Sequence, residues 1–323
     1  IPKTGVFGLY DLIGIDLMKD VLASFKKELQ EDDPFMDVVK PHPIVEQLLD
    51  KGYTGNKGLG GFYETKIVDG DEITKALRLS LGEDLLAVYH KSAETLPKRH
   101  AITDGYLYGE VPTPHYAKED GITYAIDWIN GQKTGFFVDQ RDNRTMVGKL
   151  SQGKKVLNAF CYSGGFSLQA LKNEARIVYS LDSSNKAITL VEENVQLNGF
   201  KDRHISVVAD AMEFMKELPE EFDIIILDPP AFAKHLDKKH KAVQGYKRLN
   251  AEALKKMPQA GLLWTFSCSQ VVDAQLFEDT IVAAAVESGR QVRILRRLGQ
   301  PADHPTRAGH PEARYLKGLV LHV

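Results

Sequence analysis

From residue 122 onward, apolar residues cluster in short blocks that alternate with amphipathic stretches. "ITYAIDWI" alternates apolar and polar positions, as a half-buried strand does. "KKVLNAF" is a compact apolar run, and "GGFSLQALKNEA" after it reads as a helix opened by glycines. "IVYSLD" is the next strand, and "SSNKAITLVEENVQLNG" reads as a helix with a serine start and a glycine stop. "ISVVAD" and "FDIIILD" follow, the second so rich in isoleucine that it suits a strand buried on both faces. "AGLLWTFSCS" is a further strand and "AQLFEDTIVAAAVESG" its helix; "VRILRRL" and "YLKGLVLHV" close the chain. Strands alternating with helices in this rhythm predict an α/β fold built on a doubly wound, mostly parallel sheet.

The first third of the chain has a different texture. "DLMKDVLASFKKELQ" and "PIVEQLLDKG" have helical spacing, "GNKGLGGF" is glycine-rich, and "EDLLAVYHKS" is strand-like. "PTPHYAKEDG" (112–121) reads as a linker or turn region because of its proline, glycine and charge content. The expected division is therefore a smaller α+β domain over 1–118, of uncertain fold and suited to RNA or substrate recognition, and a larger α/β domain over 119–323. Internal repeats and low-complexity segments are absent from the sequence.

Composition narrows the picture. With 323 residues, 43% of them hydrophobic, the chain has core material for two domains. A net charge of −3 carries no global basic signature, so any nucleic-acid contact must come from a local patch. Two cysteines, Cys161 and Cys268, make neither a disulfide framework nor a zinc site, so no metal is expected and a reducing cytoplasm fits. No apolar run reaches the length of a membrane span. The opening "IPKTG" has neither an initiator methionine nor a signal-peptide pattern, as a truncated product would.

In doubly wound sheets, ligands sit beyond the carboxyl ends of the strands. Here those ends carry polar groups in series: "NAFCYSGGF" with Gly164 and Gly165, then Asp182, then Asp210, then "DPP" from Asp228 to Pro230. A glycine pair opening a helix is often packing, and an aspartate ending a strand is usually a turn or cap residue. The ordered series is more specific and suits a nucleoside-bearing cofactor, with Asp182 about where an acid would bind ribose hydroxyls. The loop lacks G-x-G-x-x-G and the chain lacks a P-loop, which leaves S-adenosylmethionine, a cofactor with one ribose and no pyrophosphate. The paired prolines must lie outside the sheet, where they stiffen a loop suited to lie under a flat base.

From about residue 90 to its end, the chain resembles the cytosine-C5 methyltransferases that act on large-subunit ribosomal RNA. The resemblance rests on "NGQKTGFFVDQRDNR", "VLNAFCYSGGFSLQAL", "DPPAFAKH", "GYKRLN", "TFSCSQ", "PADHP" and "YLKGLVLHV", in that order. It implies a seven-stranded, Rossmann-like class I methyltransferase core whose seventh strand is antiparallel. It further implies S-adenosylmethionine as cofactor, with Phe160, Tyr162, Ser163 and Gly164 around its methionine part, Asp182 on the ribose and Asp210 at the adenine end. Gln140 and Arg144 of "DQRDNR" would face the same pocket, which Asp228 would also border. The small RNA-binding domain with which family members usually begin is not recognisable here.

Cytosine C5 does not take a methyl group unaided; a thiolate added at C6 activates it, with an acid serving N3. Cys268, ending one strand, and Asp228, ending its neighbour, fit those roles, whereas Cys161 reads as packing. A buried free cysteine is otherwise commonly just a small apolar residue. "KHLDKKHK" (234–241) reads as a basic flap over the pocket mouth, and "RILRR" (293–297) adds positive charge for phosphates. Pro229, Pro230, Phe232, Lys234 and His304 complete the expected substrate side, Phe232 either stacking on a flipped base or packing in the core. Ribosomal RNA is thus the expected partner, and a dimer stays open. Two rivals remain: methylation of a guanine or an exocyclic amine, which leaves Cys268 dispensable, and a non-catalytic RNA-binding assembly factor.

Overall fold

The apolar blocks become strands because each supplies side chains to both faces of a buried sheet. In the computed structural model, residues 14–30, 33, 36, 43–54, 70–91, 93, 103–218, 221–233, 235–306 and 314–323 are described. Lys234 and the glycine-rich 55–62 lie outside them. The elements, in order, are α1 (Ile15–Glu28), α2 (Pro43–Asp50), α3 (Gly70–Leu81), β1 (Val88–His90), β2 (Gly105–Tyr108), β3 (His115–Glu119), β4 (Ile122–Ile126) and α4 (Arg141–Lys149). Next come β5 (Lys155–Ala159), α5 (Gly165–Lys172), β6 (Ile177–Asp182), α6 (Asn185–Leu197), β7 (His204–Val208), α7 (Ala211–Lys216) and β8 (Ile224–Leu227). The chain ends with α8 (Lys239–Lys256), β9 (Leu262–Ser267), α9 (Ala274–Ser288), β10 (Arg293–Leu298) and β11 (Lys317–His322).

Seven strands form one sheet in the order β10-β11-β9-β8-β5-β6-β7. The five from β9 to β7 run parallel, and β11 is antiparallel to both its neighbours. This is the doubly wound, Rossmann-like class I topology that the strand–helix rhythm predicts. Strand alternation sorts the core into two layers. Leu157, Ile225, Leu227 and Leu263 pack with Tyr246 and Leu249 of α8 and Phe277 and Ile281 of α9. Val156, Ile224, Ile226 and Trp264 pack with Leu168 and Leu171 of α5 and Ile188 and Val191 of α6. Each such side chain, fully removed from water, contributes about 1.5–3 kcal/mol.

Sequence punctuation sets the helix ends. Ser184 caps α6 by accepting the Ala187 amide, Asp273 caps α9 through the Leu276 amide, and Gly289 takes the left-handed C-terminal position of α9.

In "PTPHYAKEDG" the turn is present and the linker is not: HYAKE forms β3, and Asp120 and Gly121, at φ 49° and 73°, make a tight hairpin turn into β4. Two consecutive left-handed residues are what a two-residue hairpin needs, so the "DG" is a strand-reversal signal. The hairpin is tied to α6, whose Asn194 side-chain oxygen accepts the Ala125 amide at 2.7 Å. By its internal packing the chain separates into compact units Ile1–Val88 and Tyr89–Val323. The first contains α1 to α3, with Ile15 buried and its amide bonded to the Thr54 carbonyl. "EDLLAVYHKS" yields only the three-residue β1, and "KHLDKKHK" opens α8 after a 3-10 turn at Leu236–Lys238 rather than forming a loop. Among the described residues, no helix is long and apolar enough to cross a membrane, and no cluster of His, Cys, Asp and Glu could hold a metal ion.

Candidate active site

In-register pairing brings the strand ends together. Ala159 pairs with Leu181 and Leu227, and Leu227 with Thr265, so the residues that follow β5, β6, β8 and β9 emerge along one edge of the sheet. They border a cavity of about 320 Å³, within the range of small-molecule sites.

One wall is the loop after β5. Phe160 at φ 60° and Tyr162 at φ 45° hold left-handed conformations that disfavour side chains by about 1–2 kcal/mol each. Such strain concentrates at functional sites. The loop is held by the Tyr162 amide donating to Asp182 Oδ2 (3.1 Å) and by Asn194 Nδ2 donating to the Ser163 carbonyl (2.9 Å). Asp182 Oδ1 accepts the Ser184 amide at 2.9 Å, so each carboxylate oxygen keeps a lone pair for a further donor. Gly164, at φ 78°, starts α5, and a Cβ there would lie 3.1 Å from Val191. At Gly165 a Cβ would come within 2.7 Å of the Arg144 stem. The pair thus makes room for protein neighbours, a reason that the sequence does not reveal.

The opposite wall comes from the segment leading into α4. Gln140 is buried and donates from Nε2 to Asp228 Oδ2 at 3.0 Å, while its Oε1 accepts from Asn143. Arg144 borders the cavity, yet its guanidinium is occupied: it makes a bidentate pair with Glu119 of β3 (both contacts 2.7 Å), donates to the Phe137 carbonyl, and lies over the Phe136 ring. It acts as a strut between α4 and the hairpin.

Asp228, Pro229, Pro230 and Cys268 form the third side. Burial pushes the Asp228 carboxyl up to about 7; the Gln140 hydrogen bond and the Arg144 charge oppose this, and the Asp139 charge adds to it. Burial also raises the Cys268 thiol, and the Asp228 charge raises it further, against the nearby cations Lys133 and Lys317. The two groups therefore prefer to share one charge: a protonated Asp228 removes the main electrostatic obstacle to a Cys268 thiolate. Cys161 is buried, with its thiol pushed well up by burial and by Asp182, and it packs among Val156, Phe166 and Val191.

The other expected positions fall elsewhere. Asp210 is exposed and caps α7 by accepting the Met212 and Glu213 amides. Phe232 packs against Tyr246, ring centroids 4.6 Å apart, outside the cavity wall. His304 pairs with Asp303 at 3.0 Å, which in turn binds Arg141, also off the cavity. Four cavity or near-cavity residues escaped the sequence reading. Lys133 and Asp139 flank "TGFFV"; Tyr315 donates its hydroxyl to Asp139 Oδ2 at 2.7 Å; buried Lys317 opens β11. The available signal was a lysine inside an otherwise apolar final strand. The other Asp139 oxygen, Oδ1, is buried without a hydrogen-bond partner, an acceptor left for a ligand.

The family model for S-adenosylmethionine-dependent methyltransferases matches residues 95–321. A second family model, the C-terminal domain of 3-hydroxyacyl-CoA dehydrogenase, matches residues 2–65. Among curated relatives, the ribosomal RNA large subunit methyltransferase I of Aeromonas hydrophila is 39% identical, the match covering 78% of this chain and 65% of the relative. Its namesake in Shewanella amazonensis is 40% identical over 73% and 62%. The chain thus spans slightly less than two thirds of the length of these relatives. A solved protein described as a methyltransferase, in complex with S-adenosylhomocysteine, superimposes with a TM-score of 0.68 at 26% identity, covering 78% of this chain and 65% of its own.

Proposed function

The chain belongs to the S-adenosylmethionine-dependent methyltransferase family, and on that premise we propose that it methylates C5 of a cytosine in large-subunit ribosomal RNA. One observation carries the reading: Cys268 and Asp228 border the same cavity, burial raises the Asp228 carboxyl to about 7, and the Asp228 charge raises the Cys268 thiol. The names of the relatives supply the RNA class.

The cavity suits the cofactor. Asp182 retains acceptor capacity for ribose hydroxyls, and the buried, unpartnered Asp139 Oδ1 suits a donor on either ligand. Phe160, Tyr162, Ser163 and Gly164 would lie along the methionine part, whereas Asp210, a helix cap, is not among the residues that line the cavity. Bound there, S-adenosylmethionine supplies a methyl group on a positively charged sulfur.

The protein's own groups do the rest. Cys268, as thiolate, adds to C6 of the cytosine; the ring electrons shift toward N3, where protonated Asp228 donates. C5 becomes nucleophilic and forms its bond to the methyl carbon as the methyl–sulfur bond breaks, its electron pair staying on sulfur. Loss of the C5 proton to solvent, return of the N3 proton to Asp228 and departure of the thiolate then restore the aromatic ring and the free enzyme. Pro229 and Pro230 stiffen the turn that carries Asp228. Exposed Lys238 and Lys241, by the start of α8, are placed for phosphate contacts that weaken with salt.

Nucleoside mass spectrometry on unmodified large-subunit rRNA, incubated with S-adenosylmethionine, tests this. Wild type should yield 5-methylcytidine, and Cys268→Ala at least about 10³-fold less, the scale of losing a covalent nucleophile. A methylated base formed equally by both would assign the reaction to a nitrogen atom. No product from either would remove the substrate class.

A further inference from the structure

We propose that Lys317 is a positioning residue for Cys268, clamping the turn that carries the thiol and holding a cation near it. This rests on the reading of Cys268 as the nucleophile.

Lys317 is 7% exposed, at the head of a strand whose next four residues are all buried. Lysine is almost never this buried unless its ammonium finds partners. Here Nζ donates to the carbonyl of Ser269 and, at 2.8 Å, to that of Tyr315. Ser269 is the residue directly after Cys268, and the β11 register sets Lys317 opposite Ser267, the residue directly before it. An alkyl side chain would satisfy the core equally well, but it would leave both carbonyls without this donor.

The turn is fixed on every side. Ser267 and Ser269 are both fully buried. Ser267 Oγ donates to the Tyr246 hydroxyl at 3.0 Å, and Ser269 Oγ donates to the Ala233 carbonyl at 2.7 Å, tying the thiol's turn to the segment that follows Asp228. Through Lys317 the same turn is joined to Tyr315, whose hydroxyl reaches Asp139; the adjacent Gln140 donates to Asp228. The proposed nucleophile and acid thus lie on one hydrogen-bonded circuit, and Lys317 is the link on the thiol side.

Its charge points the same way. The groups whose charges act on Cys268 are Asp228, which disfavours the thiolate, and Lys133 and Lys317, which favour it; the phenols of Tyr246 and Tyr315 stand nearby. Lys133 also lies over the Phe137 ring on the cavity wall. Burial lowers the Lys317 ammonium to about 8, against the pull of Cys268 and Asp273, so it remains mostly charged at neutral pH.

The test is the pH dependence of Cys268 alkylation by iodoacetamide, read by peptide mass spectrometry with buried Cys161 as the internal reference. It compares wild type, Lys317→Met and Lys317→Arg, each first shown to be folded by its thermal shift with S-adenosylhomocysteine. Lys317→Met should slow alkylation near neutral pH, where the ammonium is charged, by up to about tenfold, an effect that fades above about pH 8 as the wild-type ammonium loses its proton. Lys317→Arg, which keeps the charge, should retain the wild-type rate near neutral pH. A wild-type profile in Lys317→Met overturns the proposal. If Lys317→Met does not fold, Lys317→Gln takes its place: slowed alkylation near neutral pH supports the clamp and a wild-type rate overturns it. The alkylation reading requires no methyl transfer. Activity in Cys268→Ala would therefore sink the nucleophile while leaving the Lys317 measurement intact, and a normal Lys317→Met profile beside an inactive Cys268→Ala would sink Lys317 alone.

Discussion

Asp228 is a carboxyl whose surroundings favour its neutral form, and this has opposite consequences for stability and for chemistry. Its ordinary value is 3.8 and its folded value is about 7. The folded state therefore holds the proton more tightly, and this contribution to stability is full below about pH 4 and lost as pH rises through 7. Asp228→Asn removes the penalty of a buried charge. The variant is expected to melt at or above the wild-type temperature at pH 8, with the advantage vanishing at pH 4. Its methylation rate should fall by about 10²–10⁴, the usual contribution of a positioned acid. A variant less stable than wild type at pH 8 would contradict the origin assigned to the shift. Asp228 and Cys268 were legible in the sequence because a residue ending a parallel strand can hardly avoid the ligand edge of the sheet. Lys317 and Tyr315 were not, because only the register of an antiparallel strand arriving from the end of the chain brings them there. Arg144 was legible at the right wall, but its engagement with Glu119 depends on strand pairing within a hairpin that a linker-or-turn segment does not announce.

Among elements, the parallel strands carry a buried polar ladder beside their apolar layers. Asn158 of β5 donates to Ser167 of α5, whose hydroxyl meets Ser180 of β6 at 2.7 Å; Ser180 in turn meets Nε2 of His204 at the head of β7, also at 2.7 Å. Burial lowers His204 to about 4, with Glu192 pulling the other way. The unfolded chain takes up a proton near pH 6.5 and the folded one near 4, so stability is lost as pH falls through that window. The loss approaches about 3 kcal/mol at the lower end. Between pH 7 and pH 4 in urea unfolding, wild type should lose stability relative to His204→Gln by about this amount, the opposing Asp228 contribution being common to both; equal changes in the two would remove His204 as the cause. Element types were readable wherever apolar blocks were long, as in "FDIIILD" and "AQLFEDTIVAAAVESG". They were harder to read where strands are short, as at β1 and β3.

For the molecule as a whole, the strand order places β5 and β8 at the centre, fully buried, with the cavity at their carboxyl ends. That layout followed from the alternation of strand and helix, since parallel neighbours require crossover helices and crossovers have one hand. The structural division at 88/89 lies between the two stretches matched by different family models, 2–65 and 95–321. The methyl-transfer chemistry proposed here lies wholly within Tyr89–Val323. Its central claim is a covalent bond between Cys268 and C6 of a cytosine. The most direct measurement incubates the protein and S-adenosylmethionine with large-subunit rRNA in which cytidine is replaced by 5-fluorocytidine, whose C5 has no proton to lose, so the adduct cannot resolve. A denaturation-resistant protein–RNA complex, with the nucleotide mapped to the Cys268 peptide and absent in Cys268→Ala, is the expected result. Methylated RNA without any adduct, or an adduct on a different residue, would contradict it.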